Sequence, residues 1–244
     1  MQTVERAACF VAALLLLSGL IHVAILVAGG GSWQGPVSLR KAATFGLSFG
    51  LTLATIVWVI SWLRLGDRSR AALLGIFTAA CTMETVLVSL QAWRGVPSHF
   101  NVETPFDAMI ARTLAAGGAV LVAVIASLTF AAFRRNDAIA PSLRLAIRVG
   151  FVMLLASLLV GASMIATGMR LVFAGHPQAA YATAGALKPT HAVTLHAILV
   201  LPGVARLLSF VDWTERRRTI AVAIASAIYL IVATVVGVED LAGV

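Results

Sequence analysis

The sequence predicts an all-α polytopic membrane protein: a single domain over residues 1–244, built as a bundle of seven transmembrane helices, with the N-terminus cytoplasmic and the C-terminus outside. Three observations predict it. The 244-residue chain is 60% hydrophobic and only 11% charged, against about 25% charged in ordinary soluble domains. Seven apolar runs succeed one another, each near the roughly 20 residues that a spanning helix needs. The 18 basic residues gather in short clusters at the ends of those runs.

The runs cover about 7–29, 42–63, 71–93, 109–133, 146–172, 190–210 and 219–238. The first resembles a signal peptide at its start, but Ala7 to Ala28 is long enough to span and too long for a typical signal core. Lys41 and Arg64 flank the second run, Arg70 and Arg94 the third. Arg112 and Arg134 mark the fourth, Arg148 and Arg170 the fifth. The sixth holds Arg206, which must extend toward the headgroups, and Pro202, which frees a carbonyl one turn back. Arg218 and Glu239 bound the seventh.

Charge sets the orientation. Arg6, Arg64, Arg68, Arg70, Arg134, Arg135, Arg144, Arg148, Arg206, Arg216, Arg217 and Arg218 fall on one side. Arg40, Lys41, Arg94, Arg112, Arg170 and Lys188 fall on the other. Twelve against six makes the first side cytoplasmic by the positive-inside rule. The formal charge of +8 therefore serves topology and lipid headgroups. Clusters that only punctuate apolar runs argue against nucleic acid as a partner. Cys9 and Cys81 lie inside apolar runs, where a thiol acts as a small hydrophobe; no disulfide framework is present.

Small residues in the runs, such as Gly46 and Gly50 in the second, read as close helix packing. The outer loops carry the chemistry. In WQGPVSLRK, Arg40 and Lys41 open a helix where they oppose its dipole, which favours a local anion: a lipid phosphate or a substrate carboxylate. In RGVPSHFNVETPFD, Arg94, His99 and Asn101 sit among turn-forming prolines. That loop reads either as a substrate-recognition lid or as a polar turn capping the fourth helix through Thr104 or Asp107.

Ionisable groups within a span are costly and mark candidate sites. Of ten acidic residues, only Glu84 lies deep in a run. His22 and His196 lie within the first and sixth runs, and His191 opens the sixth. At about 1.5 Å per residue, His22 and His196 lie roughly 10 Å below the outer helix ends and Glu84 roughly 15 Å. Ser18 sits one turn before His22. Gln91 and Arg94 extend a stripe from Glu84. This layer suits three chemistries. His22, Glu84 and His196, with His191 in support, form a ligand set for zinc or another divalent metal that activates water, with Glu84 and Ser18 catalytic. His22 and His196 are alternatively axial ligands of a haem b in a redox protein. Glu84 with a histidine is, third, a proton relay or transport site. In the first reading Arg94, His99, Asn101, Gln91, Arg40 and Lys41 bind a lipid-like, amphiphilic substrate.

WQGPVSLRKAATFGLSFG, ETVLVSLQAWRGVPSHFNVETPFD and HAVTLHA together resemble a family of uncharacterised bacterial seven-helix membrane proteins. The likeness covers most of the chain, and its SHFN loop is the most specific part. It implies a multi-pass protein of the bacterial inner (plasma) membrane. Ser18-x3-His22 also looks like the Ser-x3-His element of the alkaline ceramidase and adiponectin receptor superfamily, which implies a metal-dependent membrane hydrolase. The chain departs from that pattern. The superfamily's histidine pair is His-x3-His on the last helix, whereas His191-x4-His196 is on the sixth. Glu84 is the one acidic residue placed to stand for the superfamily's helix-borne Asp. The seventh run lacks the lysine with which microbial rhodopsins hold retinal.

Overall fold

The computed structural model describes residues 3–183 and 185–242. The described residues form eight helices: α1 (Thr3–Ala28), α2 (Arg40–Ile60), α3 (Asp67–Trp93), α4 (Pro105–Phe133), α5 (Pro141–Phe173), α6 (Pro177–Thr183), α7 (Lys188–Leu208) and α8 (Glu215–Ala242). All except α6 are long and apolar enough to cross a membrane. The chain is a multi-pass membrane protein with seven candidate spans. Large apolar side chains such as Phe10, Leu17, Ile224 and Ile231 are exposed, as lipid-facing groups are. They cover surfaces that no soluble monomer presents at this density.

The helices outrun the apolar stretches by several residues at their polar ends. Asp67 to Arg70 are already helical, as are Glu215 to Arg218. Hydropathy registers the hydrocarbon core and not the polar turn that continues the helix into the headgroups. The seven-residue α6 is an addition to the expected set.

Chain contacts divide the protein into two compact units. The first comprises Met1–Val57, Ala71–Leu121 and Ala162–Gly185. In it α1 buries Glu5, Ala8, Ala12, Leu15, Gly19, His22 and Leu26, alternating steps of three and four along a single stripe. Glycine lets α1 and α2 touch backbone to backbone. A Cβ on Gly46 would lie 2.7 Å from the Gly19 nitrogen, and one on Gly50 2.8 Å from the Leu16 nitrogen. The Gly46/Gly50 pair thus acts as a close-packing motif. Beside it, Val88 of α3 with Ile110 and Leu114 of α4 forms an apolar cluster against Phe45 of α2.

The second unit comprises Trp58–Arg70, Val122–Gly161 and Ala186–Val244. Ala146 and Met153 of α5 pack with Ala197, Leu201 and Ala205 of α7 and Val222 and Ala233 of α8. The Tyr229 hydroxyl donates to the Val193 carbonyl at 2.7 Å. Nearer the start of α7, Asp240 ties the same two helices: its Oδ2 accepts from the Thr190 N–H at 2.9 Å and its hydroxyl at 2.5 Å. These bonds satisfy donors at the start of α7 that the helix itself leaves open. Helix α7 continues through Pro202.

Candidate functional site

Helix α3 positions Glu84 within its buried stripe of Leu74, Phe77, Ala80, Cys81, Glu84, Thr85, Val88 and Gln91. The carboxyl is only 4% exposed, and its Oε1 has no hydrogen-bond partner. The α4 residue facing it is Gly117, where a Cβ would approach Oε1 to 2.5 Å and collide with Met83 Cε. Glycine at 117 is what gives this carboxyl its space. Burying a polar oxygen without a partner costs about 1–3 kcal/mol, so the arrangement is one that packing alone does not favour.

The charged neighbour of Glu84 is Lys41, near the start of α2, whose ammonium field reaches the carboxyl. Lys41 Nζ donates to His99 Nδ1 at 3.1 Å. An ammonium has no lone pair to offer, so His99 accepts at Nδ1 and carries its proton on Nε2. Ser98, buried, places its Oγ 3.1 Å from the same nitrogen. Burial, with the Lys41 charge in addition, holds the His99 imidazole well below the ordinary histidine range. The His99 ring also packs against Phe45 and Phe100, with centroids 5.8 and 6.0 Å away. Lys41 thus links two parts of the first unit: it is hydrogen-bonded to His99 of the 94–104 loop, and its charge acts on Glu84 of α3.

The loop carrying His99 is sharply folded. Phe100 adopts φ 68°, a left-handed conformation uncommon outside glycine. Its ring rests on Gly168 of α5, where any Cβ would lie 2.6 Å from the ring. Asn101 is fully buried. Its Oδ1 accepts the Glu103 N–H at 3.1 Å, while its Nδ2 has no partner. Tyr181, on α6, has its phenol raised above the ordinary value by burial and by the Glu103 and Asp107 carboxylates.

The other expected residues are engaged differently. Thr104 caps α4: its Oγ1 accepts the Asp107 N–H at 3.1 Å and donates to Asp107 Oδ2 at 2.6 Å, a side-chain N-cap that satisfies one of the helix's open donors. Gln91 donates to Asp107 Oδ1 at 2.8 Å. Arg94 donates to the same oxygen at 2.5 Å and to the side-chain amide oxygen Oε1 of Gln91, and lies 4.8 Å over the Phe106 ring. Gln91 and Arg94 thus serve the helix cap that the sequence offered as the alternative to a lid. Arg40 stands at the start of α2, its N–H accepted by Ser38 Oγ at 3.1 Å.

His22 is buried with both ring nitrogens bonded. Nδ1 lies 2.7 Å from the Ser18 carbonyl, to which it donates, and Nε2 accepts the Trp93 indole N–H at 3.0 Å. The Ser18 backbone, rather than its hydroxyl, makes the link. A metal or haem iron on His22 would have to displace one of these bonds. His191, in the second unit, has Nδ1 2.8 Å from the Ser157 carbonyl, and the Ser157 hydroxyl donates to the His191 carbonyl at 2.7 Å. His196 is half-buried on the same helix. Among the described residues no group of three or more His, Cys, Asp and Glu side chains is arranged to hold a metal ion.

Sequence reasoning singled out Glu84, His99 and Lys41 separately, but not their association. It also missed Trp93 and Gly168, and read Gly117 as close helix packing without naming Glu84 as what packs there. An indole N–H seeking an acceptor is a general property of buried tryptophan, but nothing in the local sequence names His22 as that acceptor. No known family model matches this chain, and no curated protein or solved structure matches it either. Of the resemblances drawn from sequence, the seven long apolar helices are what the structure supports.

Proposed function

We propose that this chain is a bacterial plasma-membrane protein, N-terminus inside, in which Glu84, Lys41 and His99 form a proton relay opening on the outer face. The observation that carries the reading is the Glu84 carboxyl: buried, with Oε1 unpartnered, and in the field of a lysine that is itself hydrogen-bonded to a loop histidine. A group that accepts and releases a proton needs a site where neither protonation state is locked by fixed partners. Glu84 has such a site, whereas Asp107 does not. His99 Nε2–H and the Lys41 ammonium supply the intervening steps to the loop. A relay of this kind would couple proton movement to transport or binding of a substrate that enters from the outer leaflet.

The metal-dependent hydrolase and haem readings both require His22 as a ligand. The bonds on its two nitrogens give them no support. Metal and pigment analysis of the purified protein tests them directly.

The relay is tested by infrared difference spectroscopy of the protein in lipid while external pH is stepped. A carboxyl C=O band should track pH and disappear in Glu84→Gln. Its timing should slow in Lys41→Gln. A spectrum with no Glu84-dependent band at any pH would overturn the proposal.

A further inference from the structure

The second unit carries a cleft that shares no residue with the Glu84, Lys41 and His99 set. It has a volume of about 420 Å³ and is lined by the 61–64 turn and the 136–139 turn. That size lies within the roughly 300–1,000 Å³ of small-molecule sites. A narrower crevice continues from it, sharing Trp62, Leu63, Arg64 and Asn136 and adding Arg134 and Arg144.

The walls are held in place by their own bonds. Asn136 Nδ2 donates to the Trp62 carbonyl at 2.8 Å, and its Oδ1 accepts the Ala138 N–H at 3.2 Å. Arg64 donates to the Arg135 carbonyl at 3.2 Å, and Arg144 to the Asn136 carbonyl at 2.9 Å. The two turns are therefore fastened to each other and not merely adjacent.

Charge at the cleft is unbalanced. Arg64 lines the cleft beside one carboxylate, Asp137, and Arg134 and Arg144 line the crevice; Asp137 pairs with Arg144 at 3.2 Å and with Arg135, outside the lining, at 2.7 Å. Arg64 and Arg134 have no carboxylate partner among the described residues. Arg134 instead lies 5.4 Å over the Phe130 ring. Trp62, Leu63 and Ile139 give both the cleft and the crevice an apolar wall, with Ser61, Asn136 and Asp137 as the polar residues of the cleft beside Arg64. A concave site with an apolar wall, lined by Arg64 and continuing into a crevice lined by Arg134, neither arginine paired with a carboxylate among the described residues, at the ends of membrane-spanning helices, selects a phosphate attached to something greasy. Arginine's fork suits phosphate oxygens.

We infer that this cleft binds a phosphate-ester anion, presented by an acidic phospholipid headgroup, through Arg64 and Arg134. General attraction of basic loops to acidic membranes would depend on charge alone. The cleft requires these two positions.

The test uses the full-length protein equilibrated with mixed phosphatidylcholine and phosphatidylglycerol, with retained lipids counted by native mass spectrometry. Wild type should retain phosphatidylglycerol in preference to phosphatidylcholine. The double variant Arg64→Gln/Arg134→Gln should lose about tenfold or more in that preference, and Arg64→Lys/Arg134→Lys should recover part of it. The charge-matched control Arg216→Gln/Arg217→Gln removes two exposed arginines of the 209–218 segment and should change little. Equal loss in cleft and control variants would reduce the effect to net charge and overturn the proposal. Competition by glycerol phosphate without lipid would support the phosphate site while making a soluble ester its source. No preference in wild type, or an unchanged preference in a monodisperse cleft variant, would overturn it.

Discussion

In the second unit, carboxylates close helix ends. Glu215 Oε1 accepts the Ser142 N–H at 2.8 Å, at the start of α5, and Asp240 does the same for α7 through Thr190. Asp137 joins two arginines. In the first unit Asp107 behaves alike, with Gln91, Arg94 and Thr104 around it. Glu84 does not. It sits in mid-helix, closes no helix end, and leaves Oε1 without a bond. The contrast separates two uses of an acidic residue in a membrane protein. At a helix terminus, open N–H groups and arginines make the charge structural. Deep in a span no such donors exist, so a retained carboxyl marks something other than stability.

The largest expected effect breaks the space around Glu84. Gly117→Val would drive a branched side chain into Oε1 and Met83, and overpacking of this kind costs about 1–3 kcal/mol. Its neighbour Gly118 has nothing within 4 Å of an added Cβ, so Gly118→Val should stay within about 0.5 kcal/mol. Thermal unfolding in detergent measures both. Equal losses would mean that the glycines serve helix flexibility rather than the carboxyl. Next in size is Asp240→Ala, which removes both bonds at Thr190 and should cost about 1–2 kcal/mol. An unchanged Tm would remove Asp240 from the structural class and weaken the contrast.

Those two sites also show what the sequence makes legible. The seven spans stand out because lipid demands about 20 apolar residues in a row, and the Thr104–Asp107 cap because its partners are three apart. Glu84 is visible as an anomaly. Its surroundings are not, because Lys41 and His99 are separated by 58 residues and His22 and Trp93 by 71. Helix order in a bundle is set by packing that no local pattern records. Helix α6 was invisible for another reason: seven residues of PQAAYAT are too few to carry a helical period.

A smaller effect should appear with pH. Burial and Lys41 depress the His99 pKa below its ordinary 6.5. Between the depressed value and 6.5 the unfolded chain binds more proton than the folded one, so folding stability is full above about pH 6.5 and falls as pH drops through that window. His99→Gln should flatten this part of the stability profile relative to wild type, by no more than one proton's linkage. An identical slope in both proteins would mean that His99 is as accessible to protons folded as unfolded, and would remove the middle step of the relay.

The smallest expected change in stability is at Glu84 itself, and it decides most about the comparison. Glu84→Gln keeps the side chain's shape, and Oε1 has no hydrogen bond to lose. Lys41 keeps its bond to His99. The variant should therefore unfold within about 1 kcal/mol of wild type while losing the pH-dependent carboxyl band. Removing one member of a buried ion pair instead costs about 3–5 kcal/mol. A loss of that size would make Glu84 the fixed counter-ion of Lys41, place it with Asp107 and Asp240 among the structural carboxylates, and leave the first unit without a group free to move a proton.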